Sequence, residues 1–271
     1  MLPILVALQL VQSPSPMVEN TRAHGRQLQR PVPGERIATP LGELLLPPGL
    51  KPGHKASLVI HFHGEPWLAE QSVRNAMPKA AVLAVQVGSG SRVYGEAVKD
   101  PAVLPGILTA LAHPVDRLYL SGYSAGYGAV RAILRQPENA ARVNGAVLLD
   151  GIHSDYETPQ NGEADTRKPS AEDLDAFLTF ARTSQAGKKR FTILHSEVFP
   201  GSYASTTETT DWLLAQLGLR RKAVLRWGPL GMQIVSDTRS GHFRVLGFAG
   251  NSAPDHVDML HALPWALKLL K

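Results

Sequence analysis

The chain has 271 residues, 44% of them hydrophobic and 19% charged, with 24 Gly and 21 Pro spread along it without a repeating unit; this composition excludes disordered, collagen-like and coiled-coil proteins. The formal net charge is +5, but the basic residues are scattered apart from Lys188-Lys189-Arg190 and Arg220-Arg221-Lys222, which makes no footprint for nucleic acid. Cysteine does not occur, which removes thiol catalysis, disulfides and thiolate metal sites together.

Residues 1–12, MLPILVALQLVQ, have the length and apolarity of a signal-peptide core, and polar, unpatterned sequence follows to residue 30. We therefore expect residues 1–30 to be a signal peptide and flexible leader of an exported, periplasmic or secreted protein. No Lys or Arg precedes the run, and Met17 is an alternative start, in which case the protein is cytoplasmic. No run reaches the ~18–20 apolar residues of a membrane helix, so no membrane span is expected. Residues 31–271 fit one domain.

Residues 36–47, RIATPLGELLLP, read as an antiparallel edge hairpin turning near Pro40 and Gly42. Beyond it, strand-like segments at 57–62, 80–87, 117–121, 144–150, 190–195 and 242–249 alternate with helical patterns at 69–76, 101–112, 125–135, 171–182, 207–217 and 255–270. Continuous apolar runs such as LVIHF and AVLLD suit strands buried on both faces, and strands separated by helices imply a parallel sheet with right-handed crossovers. The expected class is α/β, with chemistry at the carboxyl ends of the strands.

One motif stands at such an end. After the strand RLYL come Gly122-Tyr123-Ser124-Ala125-Gly126 and then the helical run AVRAILR, so a G-x-S-x-G pattern occupies a strand-to-helix turn. The bare string is weak, and the flanking strand and helix make it specific. Here the chain resembles the α/β-hydrolase family over about residues 36–271, which implies a mostly parallel sheet flanked by helices, with a small lid or none.

The resemblance implies roles for particular residues. Ser124 is the nucleophile and Ala125 gives a backbone N–H to the oxyanion hole; the second donor follows the strand SLVIHF, at Glu65 or Gly64. Glu65 departs from the apolar residue usual there. The base follows the last strand, making His256 the candidate and His261 the reserve. The acid is Asp150, at the end of NGAVLLD, with Glu197 and Asp155 as alternatives. Trp67, Tyr123 and Tyr203 follow strands and are candidates for the substrate pocket.

Two rival readings remain. A metal-dependent hydrolase would draw on His61, His63, His153, His195 and His256 with Asp150, although His61 and His63 share one sheet face and lack a compact second ligand motif. A non-catalytic, hydrolase-like binding protein would usually lack a triad member, and here each place is filled. The reading adopted is a serine esterase acting on a small-molecule or polymer-borne ester through an acyl-enzyme, without cofactor or metal. Between Asp150 and the strand at Arg190 only about forty residues and one helix intervene, too few for a large apolar cap.

Overall fold

The structure, a computed structural model, describes residues 25–157 and 167–271; the apolar run at 1–12 lies outside them. Alternation along the buried strands builds two cores on one sheet. In β3 (Ala56–Phe62), Leu58, Ile60 and Phe62 face one layer while Val59 faces the other. The same division holds in β5 (Val115–Tyr123), where Leu118 and Leu120 oppose Tyr119 and Tyr123.

The remaining strands are β1 (Arg36–Thr39), β2 (Gly42–Leu45), β4 (Ala80–Val85), β6 (Val143–Leu149), β7 (Arg190–His195), β8 (Ala223–Trp227), β9 (Gln233–Ser240) and β10 (Phe243–Phe248), in the order β1-β2-β4-β3-β5-β6-β7-β10-β9-β8. The six central strands from β4 to β10 run parallel, and antiparallel pairs extend the sheet at both ends. The expected α/β class and the edge hairpin are both present.

The helices are α1 (Pro66–Ala76), α2 (Ser91–Ala97), α3 (Val103–Ala110), α4 (Tyr127–Leu134), α5 (Pro137–Arg142), α6 (Ala171–Gln185), α7 (Thr206–Gln216), α8 (Ala253–His261) and α9 (Leu263–Lys268). Helices α3, α4, α6 and α7 cover one face of the sheet, and α1, α8 and α9 the other. Between Asp150 and β7 the described residues contain only α6.

Several elements differ from the expectation. The last helix is two, because Pro264 at the start of α9 has no N–H to continue the ladder of α8. Helices α2 and α5 and the antiparallel pair β8–β9 were not anticipated. β8 is an edge strand whose Leu225 and Trp227 are exposed, so it lacks the apolar run that marks the buried strands. Strands expected to reach Val87, Asp150 and Ala249 stop at Val85, Leu149 and Phe248, which leaves Asp150 on a loop.

Residues 25–30, expected within the leader, are held against α8 and α1. Arg26 pairs with Asp258 at 2.7 Å, and the Gln27 amide donates to His261 Nδ1 at 3.0 Å.

Candidate active site

Strand register sets the site. Tyr123 pairs with Leu149, and Leu149 with Leu194, so Ser124, Asp150 and the His195-Ser196 junction emerge side by side at one edge of the parallel sheet. Ser124 has φ 44° and Asp150 φ 46°, both in the left-handed region that non-glycine residues rarely enter, and His63 after β3 has φ 71°. Three strand exits are therefore turned sharply at the same edge.

The elbow glycines are needed because their neighbours touch backbone. A Cβ on Gly126 would stand 2.0 Å from the Phe62 carbonyl oxygen, and one on Gly122 would stand 3.0 Å from the Gly126 carbonyl carbon. A Cβ on Gly151 would stand 2.3 Å from the carbonyl oxygen of Ser124, so the loop carrying Asp150 packs directly on the elbow.

His256 reaches the site from the first turn of α8. Ser252 and Asp255 form a reciprocal capping box there, which fixes how that turn starts. His256 Nδ1 donates to Asp150 Oδ2 at 2.9 Å, which leaves Nε2 as the proton acceptor. Asp150 is 2% exposed, and its Oδ1 accepts from the Ser196 amide at 2.7 Å while Oδ2 accepts from the Ser196 hydroxyl at 2.5 Å. Burial alone would raise the Asp150 carboxyl; the hydrogen bond and charge of His256 and the two Ser196 donors outweigh it, and its pKa is lowered. The Tyr123 ring lies 4.8 Å from that of His256 and 5.8 Å from that of His63.

The other candidates fall elsewhere. Glu197 is exposed, and its amide donates to the Gly250 carbonyl. Asp155 is also exposed and sits on the rim of a cavity of about 510 Å³ beside Ser124. His261 accepts from Gln27, with burial and then Arg26 lowering its pKa to about 4, so it holds the N-terminal segment. The exposed Glu65 precedes α1, and the Gly64 amide is taken by Gln86 Oε1 at 3.2 Å. Tyr203, Ala125 and Ser124 line the cavity, whereas Tyr123 is buried beneath the site and Trp67 packs near His261.

The histidines of the metal reading do not converge. His61 is buried with Nδ1 bonded to Ser121, His195 Nε2 accepts from Arg221 at 2.7 Å, and His153 Nδ1 donates to the Ala204 carbonyl. Among the described residues no three His, Cys, Asp or Glu side chains are grouped to hold a metal, and no helix is long and apolar enough to cross a membrane.

Ser196 and Ser154 are not singled out by the sequence, and His153 is singled out only as a metal ligand. Ser196 had a detectable signal, since it directly follows a buried strand as Ser124 and Asp150 do.

No family model matches the chain, and no curated protein matches it. Among solved structures it is similar to EstE1, a thermostable carboxylesterase cloned from a metagenomic library, at 14% identity, 94% and 95% coverage of the two chains and TM-score 0.45. A haloalkane dehalogenase loop variant from Bradyrhizobium elkanii gives 11% identity, 86% and 94% coverage and TM-score 0.46. Thermogutta terrifontis esterase 2 phosphonylated by sarin gives 13%, 82% and 86%, and 0.42. A mostly parallel sheet with helices on both faces, whose fifth strand turns through a strained serine into a helix, gives this chain the α/β-hydrolase fold.

Proposed function

We propose that the protein is a serine hydrolase cleaving carboxylic esters through an acyl-enzyme, with Ser124 as nucleophile, His256 as base and Asp150 as its orienting acid. The observation that carries this reading is the 2.9 Å hydrogen bond from His256 Nδ1 to the buried Asp150. It places the proton on Nδ1 and leaves Nε2 as the ring's acceptor, the arrangement a base needs to take the Ser124 proton.

In the first half-reaction His256 Nε2 takes the Ser124 hydroxyl proton as Oγ bonds to the ester carbonyl carbon. The amides of Ala125 and Glu65 stabilise the resulting oxyanion. Collapse breaks the bond to the alkoxide, which leaves with the proton from His256. Water then repeats the sequence on the acyl-Ser124, releasing the acid. Asp150 stays ionised and holds the imidazolium.

A fluorophosphonate probe tests the reading together with p-nitrophenyl acetate hydrolysis. Expected is one covalent adduct on the peptide containing Ser124, with adduct and turnover both lost in Ser124→Ala. Labelling at another residue, or turnover in Ser124→Ala above about one part in a thousand of wild type, would overturn it.

A further inference from the structure

The cavity beside Ser124 has a lining that indicates what it receives. Among its lining side chains only Ala125 is aliphatic; the others are Ser, Arg and Asp side chains and the rings of His63, His153, Tyr127 and Tyr203. Pockets for alkyl chains are lined by aliphatic as well as aromatic carbon, and this one has rings and polar groups with almost no aliphatic side chain.

Its polar groups are also unevenly satisfied. Arg131 and Asp173 are paired with each other at 2.6 Å, so that charge pair is closed. His153 behaves differently. Its Nδ1 donates to the Ala204 carbonyl at 3.0 Å, and its ring is held edge-on against Tyr127 and Tyr203 at centroid distances of 5.6 and 5.0 Å. With the proton fixed on Nδ1, the neutral ring offers Nε2 as a hydrogen-bond acceptor. Burial, and to a lesser degree the charge of His256, lower the pKa of the ring.

The next residue, Ser154, also lines the cavity, is 3% exposed, and its hydroxyl has no hydrogen-bond partner among the described residues. A buried hydroxyl without a partner is costly, and such groups are normally satisfied. At the rim stands the Asp155 carboxylate, a further acceptor. Two acceptors thus border a space bounded by aromatic rings, and the unpartnered Ser154 hydroxyl is buried in its wall.

We infer that this cavity binds a hydroxyl-bearing part of the ester, polyol-like or sugar-like, whose O–H groups donate to His153 Nε2 and Asp155 and engage the Ser154 hydroxyl. The inference rests on the proposed hydrolase reading and adds a substrate class to it. The hydroxyls belong either to the alcohol portion or to the acid portion of the ester, and the assay separates these sources.

The experiment compares kcat/KM within matched pairs on the purified protein. One arm pairs glycerol monoacetate with propyl acetate, and the other methyl 3-hydroxybutyrate with methyl butyrate. Expected is a preference of about tenfold or more for the hydroxylated member in at least one arm, the size of one well-made hydrogen bond. His153→Phe keeps a ring against Tyr127 and Tyr203 but removes the acceptor, so the preference ratio falls about tenfold, while His153→Gln, which keeps a side-chain acceptor, recovers part of it. If His153→Phe fails to fold, the same ratio read in Ser154→Ala decides, with a fall of at least threefold expected.

No preference in either arm, or a ratio unchanged in His153→Phe, overturns the inference, and so does a stronger preference for an ammonium-bearing ester such as acetylcholine. Hydrolysis of p-nitrophenyl acetate that depends on Ser124 isolates that failure from a failure of the hydrolase reading. Absence of any ester hydrolysis overturns both.

Discussion

Ser196 stands directly behind Asp150, giving its amide to one carboxylate oxygen and its hydroxyl to the oxygen that also accepts from His256. Two of the three donors on the buried carboxylate thus come from one residue at the exit of β7. Removing the hydroxyl leaves the amide in place but loosens the oxygen on which His256 is seated. Ser196→Ala should lower kcat by about tenfold with KM within about twofold; steady-state kinetics on p-nitrophenyl acetate reads this split, and unchanged kcat would limit Ser196 to a structural part.

The choice of acid is tested by contrasting two amide replacements. Asp150→Asn keeps size but offers His256 an NH2 group as readily as an oxygen, disturbing its tautomer, and should cost about 10⁴ in kcat. Glu197 is exposed, so Glu197→Gln should stay within about twofold. Equal losses in the two variants would reject the assignment.

The two histidines of α8 should separate activity from stability. His256→Ala is expected to lose turnover nearly as far as Ser124→Ala. His261→Ala should retain most turnover yet melt several degrees lower, because His261 accepts the Gln27 amide and helps hold the segment at 25–30. Thermal melts and initial rates on the same preparations give both readings.

Gly126→Ala should fail structurally before it fails chemically. The added methyl would meet the Phe62 carbonyl oxygen at 2.0 Å, a backbone atom with nowhere to go. A cost above about 4 kcal/mol is expected, visible as insoluble expression or a collapsed denaturation midpoint. A folded, active Gly126→Ala would mean that β3 and the elbow are less closely packed than this.

Acid should unfold the protein through its buried histidines. Burial lowers the His61 pKa from 6.5 to about 4, and burial followed by the charge of Arg221 lowers that of His195. Between pH 6.5 and about 4 the unfolded chain binds these protons and the folded chain does not, so stability is full above pH 6.5 and falls as pH drops through that window. Each such group contributes a slope of about 1.4 kcal/mol per pH unit. Urea midpoints should be nearly level between pH 8 and 6.5 and fall between pH 6 and 5, and His61→Gln should make the fall shallower.

Much of this architecture is legible in the chain itself. Runs such as LVIHF and AVLLD are apolar at every position because both faces of a central strand are covered, and the elbow carries its glycines for reasons of contact that its sequence context reveals. The hydrogen-bonded pair of Asp150 and His256 joins two residues that the sequence singles out separately. What stays hidden is what depends on tertiary register. β8 is mostly exposed, β9 alternates in burial but its inward positions include Ser236 and Thr238 beside Ile234 and so carry no apolar period, and α2 is a short helix whose position follows from packing on α4. The part of Ser196 emerges only when β7 is laid beside β6, and that of His153 only when its Nδ1 is seen to be occupied by a carbonyl 51 residues away.

The sheet ends at β8, whose outer rim carries Leu225 and Trp227 in the open. Such a rim is a template on which a second polypeptide can add itself, backbone to backbone. Two features work against that. The ladder to β9 slips between Ala223 and Arg226, and Arg226 reaches across to Asp237, which also binds Arg239 and Arg244. Colloidal behaviour is thereby tied to a corner of the molecule remote from catalysis: Arg226→Val should leave turnover intact while light scattering rises with protein concentration, because the guard on the rim has been removed and nothing at the strand exits has moved.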